Sequence, residues 1–250
     1  MTQGLKLQKV LAMYGVASRR AAEEMIKEGR IDVNGIPAHI GMRVEESDKI
    51  TIDGKPLRKP EEGQTPYFLI YHKPIGQICT RNDPERRPTV FENLPKCPSG
   101  RWVCVGRLDI NTTGLLLFTN SGDLANRLMH PSYNMEREYA IRTLGHVTPE
   151  ICKRLTKGVK LDDGWARFEH IVVTPRTSDG ANSWCTAVLM EGRTRVVRRL
   201  FEAVGLTVSR LVRVRFGPIT LPERLGRGRY QMLPPGKVAE LMDLLEQKEP

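Results

Sequence analysis

Residues 105–122 read VGRLDINTTGLLLFTNSG and join two short apolar runs through a turn. The runs, residues 103–109 and 115–119, are predicted to be neighbouring strands or a hairpin, because the INTTG between them is typical of a five-residue connection. Asp109 stands at the end of the first run, and Arg107, two residues earlier, would share its face on an extended strand. Such a carboxylate is either a turn-forming aspartate that bonds its own backbone or the reactive group of a site, and these residues alone leave both open.

Further strands and helices are expected on both sides of this stretch. Residues 67–71 and 136–142 have the pattern of strands, residues 189–205 fit a strand that continues into a helix, and residues 123–130 and 236–247 have helical spacing. There is no regular alternation of strand and helix, so a doubly wound parallel sheet is not expected. The predicted fold class is α+β, with a mixed and mainly antiparallel sheet.

The charge distribution indicates a nucleic-acid partner. The chain of 250 residues carries a net charge of +10. Between Gly192 and Tyr230 it has ten arginines, no lysine and only two acids. Arginine makes planar, bidentate contacts with phosphate and stacks on bases, so this cluster favours contact with nucleic acid or ribonucleoprotein over a merely basic surface.

Other classes of protein are disfavoured by the composition. No apolar run approaches the about 18 to 20 residues of a membrane span, and charges interrupt the region where a signal peptide would be apolar. The expected location is therefore the cytoplasm. The five cysteines form no C-x-x-C pair, which argues against structural zinc and for reduced thiols.

Residues 1–57 are interpreted as a compact module of two helices followed by strands. Apolar spacing predicts two short helices, with Ser18 as the N-cap of the second, and two later strand-like runs end in Asn-Gly and Asp-Gly turns. Arg19 and Arg20 open the second helix, where cations oppose the helix dipole. Either an external phosphate docks there or both arginines are simply solvated, and the physics alone does not choose.

The string LQKVLAMYGVASRRAAEEMIKEGRIDVNGIPAHIGMRVEESDKITIDG, taken whole, resembles the S4 RNA-binding domain, and the resemblance covers the whole module. The resemblance implies that Arg19 and Arg20 face RNA. Residues 58–66, which read RKPEEGQTP, lack an apolar anchor and are predicted to be a linker. A larger domain is then expected over residues 67–250.

The chain shows none of several common catalytic signatures. It contains no G-x-x-x-x-G-K-[ST] loop, no dinucleotide fingerprint, no H-E-x-x-H and no nucleophile elbow, and its five histidines lack metal-like spacing. If the protein is an enzyme, a lone carboxylate must carry the chemistry. It could do so as a nucleophile at a sugar carbon or as a general base.

Four segments, in the order YHKPIG, GRLDINTTGLLLFTNSGDLANRLMHPS, EREYAIR and EGRTRVVRRLFEAVG, resemble the RNA pseudouridine synthases, in the group that modifies ribosomal RNA. The resemblance covers residues 67–241, and an S4-like module in front is usual in that group. It implies isomerisation of a flipped uridine without cofactor or metal. It also implies ribosomal RNA as the partner, with 23S RNA of the large subunit preferred over 16S RNA of the small subunit. A monomer is the default expectation.

The same resemblance implies roles for individual residues. Asp109 would be the catalytic aspartate. Arg198, which would pair with it across the site, and Tyr139, which would stack on the flipped uracil, would also belong to the catalytic group. Arg107 would enter the RNA helix and hold the uridine out of it, and the loop at Lys73 would buttress the site. The residues expected on the substrate side, besides Arg107, Arg19 and Arg20, are Lys73, Leu211, Arg193, Arg195 and Arg199.

One position departs from the family pattern. Val196 stands where glutamine is expected before the valine–arginine pair. This puts in doubt a supporting hydrogen bond near Arg198, but not the arginine itself.

Two other functions would explain part of these features. A non-catalytic RNA-binding factor in ribosome assembly would account for the S4-like module and the arginines. It would not account for the GRLD, EREY and GRTRVVRR motifs together, and loss of Asp109 would leave its function intact. An aspartate-dependent nucleosidase would release free uracil instead of rejoining it to the sugar.

Overall fold

The structure, a computed structural model, describes three stretches of the chain, residues 4–57, 65–175 and 182–248. Most of the predicted linker, residues 58–64, therefore lies outside the described residues. The chain divides into two compact units. The smaller comprises the described residues up to Tyr67 together with Lys96–Val103 and Thr119–Ala125, and the larger comprises the remaining described residues.

Up to residue 57, the described chain forms two short helices and six short strands. The helices are α1 (Leu7–Met13) and α2 (Arg19–Lys27). The strands are β1 (Leu5–Lys6), β2 (Ile31–Val33), β3 (Ile36–Pro37), β4 (Arg43–Val44), β5 (Ile50–Ile52) and β6 (Lys55–Pro56). β1 pairs with β4, and the other four strands form a sheet in the order β3-β2-β5-β6.

The helix start and the turns predicted for this region are confirmed. Ser18 Oγ accepts a hydrogen bond from the Ala21 backbone N–H (3.1 Å), which satisfies one of the free amides at the start of α2. Asn34 and Asp53 have φ angles of 54° and 49°, and each is followed by a glycine with positive φ. Both helices contribute to one apolar core that includes the fully buried Leu11.

From residue 68 onward the described chain forms four further helices, one 3₁₀ turn and eleven strands. The helical elements are α3 (Gly122–Met129), the 3₁₀ turn Pro131–Tyr133, α4 (Pro149–Lys157), α5 (Val196–Glu202) and α6 (Pro235–Gln247). The strands are β7 (Phe68–Lys73), β8 (Val103–Val105), β9 (Thr113–Thr119), β10 (Arg137–Leu144), β11 (Val159–Leu161), β12 (Gly164–Ala166), β13 (His170–Val173), β14 (Asn182–Leu189), β15 (Thr207–Phe216), β16 (Ile219–Thr220) and β17 (Tyr230–Met232). No helix in the described stretches combines the length and the apolar character needed to cross a bilayer.

Nine of these strands form one sheet. Its main path runs β13-β14-β10-β15-β9-β7-β17, while β8 pairs with β9 and β16 with β15. β15 lies parallel to β9, whereas β10 is antiparallel to both β14 and β15 and β17 is antiparallel to β7. The sheet is mixed and mainly antiparallel, which confirms the predicted α+β class.

Strand β10 determines which side chains meet on one face of this sheet. Arg137, Tyr139 and Ile141 are buried and alternate with half-buried residues, as expected for a strand that presents every second side chain to a core. Tyr139 is in register with Ala187 of β14 and with Arg213 of β15. The alternation predicted for this stretch is therefore correct.

The first apolar run forms a shorter strand than predicted. β8 ends at Val105, and Gly106 has a φ of +77°, which interrupts the extended backbone. Asp109 therefore lies in a loop between β8 and β9, and the strand face that it was expected to share with Arg107 is not formed. The loop closes as a turn in which the Thr112 N–H donates to the Asp109 carbonyl oxygen (3.0 Å).

Candidate active site

A cavity of about 510 Å³ opens in the larger unit. Its wall comes from the loop that carries Asp109, from β10, from the residues between β14 and α5, and from β15. Six of the residues expected at the site line it: Arg107, Asp109, Tyr139, Arg193, Arg195 and Leu211. A cavity of this size accommodates a small ligand such as a single nucleotide.

Lys73 fixes the backbone of the Asp109 loop. Its side chain is fully buried at the end of β7, and Nζ donates to the carbonyl oxygens of Pro74 (3.0 Å), Asp109 (3.0 Å) and Thr112 (2.9 Å). Burial lowers the pKa of Lys73, and the nearby Cys79 and Asp109 partly oppose that shift. An ammonium group has three hydrogens, so none is left for a substrate atom. Lys73 buttresses the site as expected, but its placement among the substrate-binding residues is corrected.

Arg198 holds a second point of the same loop. Nη1 donates to the Val208 carbonyl oxygen (2.8 Å) and Nη2 to the Asn111 carbonyl oxygen (3.0 Å). Within the described residues no ion pair or hydrogen bond joins this guanidinium to the Asp109 carboxylate, so the expected direct pair is not formed. The pKa of Arg198 is lowered, first by burial and then by Arg195, while Asp109 acts in the opposite direction. The two groups are thus within electrostatic range of each other.

Tyr139 and Leu211 give the cavity an apolar wall. Tyr139 lies on β10 and Leu211 on β15, and both are buried while lining the cavity. An aromatic ring in such a wall can stack on a nucleobase. Val196, at the position where glutamine was expected, belongs to the apolar core of this unit. The polar group of a glutamine is thus missing there, and within the described chain Nε of Arg198 has no hydrogen-bond partner.

Two arginines of the predicted RNA-binding cluster are occupied by acids. Arg193 and Arg199 both bind the Asp163 carboxylate, at 2.9 and 2.8 Å. Arg193 also binds Glu191, and its Nη2 donates to the Trp165 carbonyl oxygen (2.8 Å). These ion pairs link the turn between β11 and β12 to the region where α5 begins, and they leave Arg193 and Arg199 less available for the expected substrate contact.

The other arginines that were predicted to contact RNA are exposed. Arg107 and Arg195 are exposed where they line the cavity, and the ion contact of Arg195 with Glu202 is long, at 4.0 Å. In the smaller unit, Arg19 and Arg20 are exposed in the first turn of α2. These four arginines remain the candidates for contact with RNA.

Two buried arginines at the cavity were not singled out from the sequence. Arg137 and Arg213 are only 8% and 2% exposed, and their guanidinium carbons lie 5.1 and 5.3 Å from the centroid of the Phe216 ring. Burial is the main reason that the pKa of Arg137 is lowered. The sequence did contain a signal for Arg213, because it stands two residues after Leu211 and shares its strand face. The arginine-rich sequence around Arg213 instead indicated an exposed side chain.

Two thiols contact the backbone of the Asp109 loop. Cys79 Sγ lies 3.4 Å from both the nitrogen and the oxygen of Leu108, and Cys104 Sγ lies 3.0 Å from the Gly106 carbonyl oxygen. A hydrogen bond from Cys104 is the main reason that the pKa of Cys79 falls to about 6. Burial raises the pKa of Cys104. The thiolate form of Cys79 is therefore favoured relative to that of an ordinary cysteine.

Alkylation of Cys79 by iodoacetamide is expected to titrate with a midpoint near the pKa of about 6. The thiolate is the reactive form, and an ordinary cysteine would give a midpoint of about 8.5. Cys104→Ala removes the main stabilising donor and should move the Cys79 midpoint upward. Mass spectrometry of the labelled peptides across the neutral pH range measures this, with Cys152, whose pKa burial raises, as the internal control. An unshifted Cys79 midpoint would contradict the predicted thiolate.

Comparisons with known proteins agree with the two segments recognised in the sequence. The family model for RNA pseudouridylate synthase matches residues 67–203, and the S4 domain model matches residues 5–50. The chain is 57% identical over 229 residues to ribosomal large subunit pseudouridine synthase B of Pseudomonas aeruginosa, an alignment that covers 91% of this chain and 59% of that relative. It is 51% identical over 244 residues to the protein of the same name from Escherichia coli (strain K12), covering 96% of this chain and 83% of the relative.

The solved structures include one with a clear overall likeness. A crystal structure of a pseudouridylate synthase superposes with a TM-score of 0.66 at 26% sequence identity, covering 95% of this chain and 100% of that one. The chain thus spans all of that structure but less than two thirds of the Pseudomonas aeruginosa relative.

Proposed function

This chain belongs to the RNA pseudouridylate synthase family, and on that basis we propose that it converts uridine to pseudouridine in the ribosomal RNA of the large subunit. The observation that carries the proposal is the position of Asp109. Its carboxylate lines a nucleotide-sized cavity beside Tyr139, on a loop whose backbone is held by Lys73 and Arg198.

The reaction suits a site built around one carboxylate. The bond between N1 and C1′ breaks, the uracil turns, and C5 joins C1′, while C5 loses a proton and N1 gains one. Nothing is oxidised and no group is imported. Because the target atoms are inaccessible in a stacked helix, the nucleotide must first be flipped out, at a cost of a few kcal/mol. A nucleotide that fills the cavity also displaces water from the sugar intermediate.

Each residue of the site has a distinct part in this proposal. Asp109 supplies the carboxylate, either as the nucleophile at C1′ or as the base for a sugar proton. Tyr139 stacks on the flipped uracil and Leu211 closes the pocket beside it, which offsets the cost of flipping. Arg107, exposed at the cavity, occupies the gap that the nucleotide leaves in the helix. Arg198 acts through the Asn111 backbone as a positioning residue.

The choice of RNA is supported by the relatives and by the charge of the chain. Both curated relatives described above are named for the large ribosomal subunit, and a net charge of +10 suits a polyanionic substrate. We propose that residues 1–57 form the S4-like RNA-binding domain, in which Arg19 and Arg20 contact phosphate, and that residues 67–250 form the catalytic domain. We also propose that the protein acts as a monomer in the cytoplasm, where ribosomal RNA is found.

Tritium release tests this function. Uridine labelled with tritium at C5 loses the label when uracil is rejoined through carbon. The purified protein should release tritium from unmodified large-subunit RNA and not from small-subunit RNA prepared in the same way. Release from small-subunit RNA alone would reassign the substrate. Binding without release from either RNA, or from a pre-ribosomal particle, would favour the assembly factor.

Lys73→Met is expected to weaken both the fold and the turnover. Methionine fills similar space but leaves three carbonyl oxygens, one of them in a buried hydrogen bond, without their donor, and an unmade buried hydrogen bond costs about 1–3 kcal/mol. We expect the free energy of unfolding to fall by about 3 kcal/mol and tritium release to slow by about 100-fold, because Asp109 loses its position. Denaturant titration and the tritium assay measure the two effects.

The control for this variant is Lys237→Met. Lys237 is an exposed lysine on α6 whose Nζ binds Glu240, so its loss should change neither quantity appreciably. A Lys73→Met protein with normal turnover would show that the Asp109 loop needs no clamp.

A further inference from the structure

Arg213 carries an unused hydrogen-bond donor at the cavity. The side chain is 2% exposed and lines the cavity wall. Its Nε donates to the Leu115 carbonyl oxygen (2.8 Å), whereas neither Nη1 nor the buried Nη2 has a hydrogen-bond partner among the residues that the structure describes. A buried charged donor without an acceptor is costly. An acceptor atom on a ligand in the cavity would remove that cost.

The register of the sheet places this donor beside the base platform. Arg213 and Tyr139 are direct partners across β15 and β10, so their side chains share a face with Cβ atoms about 4.5–5.5 Å apart. A uracil that stacks on Tyr139 therefore brings its polar edge within reach of the Arg213 guanidinium. Gly114 fixes this position, because β9 approaches so closely that a Cβ there would lie 2.2 Å from the Arg213 carbonyl oxygen.

The charges around Arg213 favour an anion. Arg137 lies at the same Phe216 ring, so two guanidinium groups are buried close together. Among the described residues the acids that line the cavity are Asp109 and Glu191, and Glu191 is already bound by Arg193. The positive charge on this wall is therefore compensated poorly until a negatively charged ligand group is present.

We propose that Arg213 is a further catalytic residue, which donates to a carbonyl oxygen of the flipped uracil and stabilises the negative charge that forms on the ring. This inference rests on the proposed function. When the bond from N1 to C1′ breaks, its electron pair stays on N1 and spreads onto O2 and O4. C5 then bonds to C1′, the C5 proton leaves and N1 is protonated, so the charge exists only between the two steps. A donor that acts on that charge lowers the barrier and not merely the dissociation constant.

The test uses Arg213→Gln. The Gln Nε2 occupies the place of the Arg Nε and can keep the bond to the Leu115 carbonyl, but the side chain ends before the cavity. Arg215→Gln is the matched control, since Arg215 lies two residues further along β15 and its Nε binds Glu138 (2.6 Å). We expect Arg213→Gln to slow tritium release by about 100-fold, the scale for removing one charge-stabilising donor. Arg215→Gln should retain normal release.

A second measurement separates this role from a structural one. Large-subunit RNA is transcribed with a small fraction of its uridines replaced by 2-thiouridine or by 4-thiouridine, and the thio and normal pseudouridines formed are counted in the same digest. Sulfur accepts hydrogen bonds poorly. The wild type and Arg215→Gln should therefore convert one of the two thiouridines about tenfold less well than uridine. Arg213→Gln should reduce that preference to about twofold or less. A structural defect would lower both products equally and leave the ratio unchanged, which would overturn the proposal.

Two further outcomes are distinguishable. If the wild type forms no pseudouridine, the proposed function itself fails. If Arg213→Gln forms too little product for a ratio, the binding of 5-nitrouracil tests the role of Arg213 instead. The ring of 5-nitrouracil ionises far more readily than uracil, and its anion absorbs at a different wavelength. The wild type and Arg215→Gln should promote ionisation of the bound ring, and Arg213→Gln should not. Equal ionisation in all three proteins would overturn the role of Arg213.

Discussion

Replacing Asp109 by asparagine is expected to abolish tritium release while leaving RNA binding intact. Asparagine has nearly the same shape and keeps the backbone bonds that the Asp109 carbonyl accepts from Lys73 and Thr112. The amide can act neither as a nucleophile at C1′ nor as a base. Loss of a group that takes part in bond making typically costs four orders of magnitude or more, so we expect turnover to fall by at least about 10⁴-fold.

The control for the aspartate is Asp243→Asn. Asp243 is exposed on α6, and its neutralisation should leave turnover unchanged. The wild type, Asp109→Asn and Asp243→Asn should have RNA affinities that agree within about threefold. These affinities are measured at one fixed salt concentration, because phosphate contacts depend on salt. An Asp109→Asn protein that keeps a tenth of the wild-type turnover would move the chemistry to another residue.

Gly114→Ala is expected to have the largest effect on stability. Gly114 has a φ of +106°, and a Cβ there would lie 2.2, 2.6 and 2.9 Å from the backbone oxygen, nitrogen and carbonyl carbon of Arg213. These are backbone atoms in the neighbouring strand, so no side-chain rotation relieves the clash. β9 and β15 would have to separate where they are in register. We expect the free energy of unfolding to fall by about 4 kcal/mol or more, measured by denaturant titration.

Gly236→Ala is the matched control. Gly236 lies in α6, and a Cβ there would meet nothing within 4 Å. Alanine is preferred over glycine inside a helix by about 0.5–1 kcal/mol, so this variant should be slightly more stable. If Gly114→Ala were as stable as the wild type, the close approach of β9 and β15 would be wrong, and with it the position of Arg213.

Much of the fold could be predicted from local sequence signals. Apolar spacing and a serine cap located α1 and α2, the alternation in β10 was visible, and α6 has a clear amphipathic pattern. β15 was not predicted, although it is the longest strand in the described chain. Three arginines interrupt its apolar residues, and two irregularities in its pairing with β10 break the two-residue period. The irregularities in pairing are not visible without the partner strand.

The sequence predicted which residues belong to the candidate site better than it predicted the contacts that these residues make. The motifs identified Asp109, Tyr139 and Leu211, and the structure places all three at one cavity. The sequence could not show that Lys73 is fully buried, because its three acceptors gather only when the Asp109 loop folds. A lysine at the end of a strand is otherwise expected to reach solvent.

The arginine cluster shows the same limit. Arg193 and Arg199 share an acid, Asp163, that lies about thirty residues earlier in the chain. Arg213 is buried against the Leu115 carbonyl, nearly a hundred positions away. A count of charges within one segment cannot include such distant partners. The count therefore overestimates the number of arginines that are available to contact RNA.

The most direct measurement is a count of products after reaction with large-subunit RNA labelled with tritium at C5. Complete nuclease digestion and chromatography give the amounts of pseudouridine and free uracil, to be compared with the tritium released. We expect pseudouridine equal to the tritium released, no free uracil, and neither pseudouridine nor tritium release with Asp109→Asn. Free uracil without pseudouridine would show a nucleosidase, and pseudouridine formed by Asp109→Asn at the normal rate would contradict the central role of Asp109.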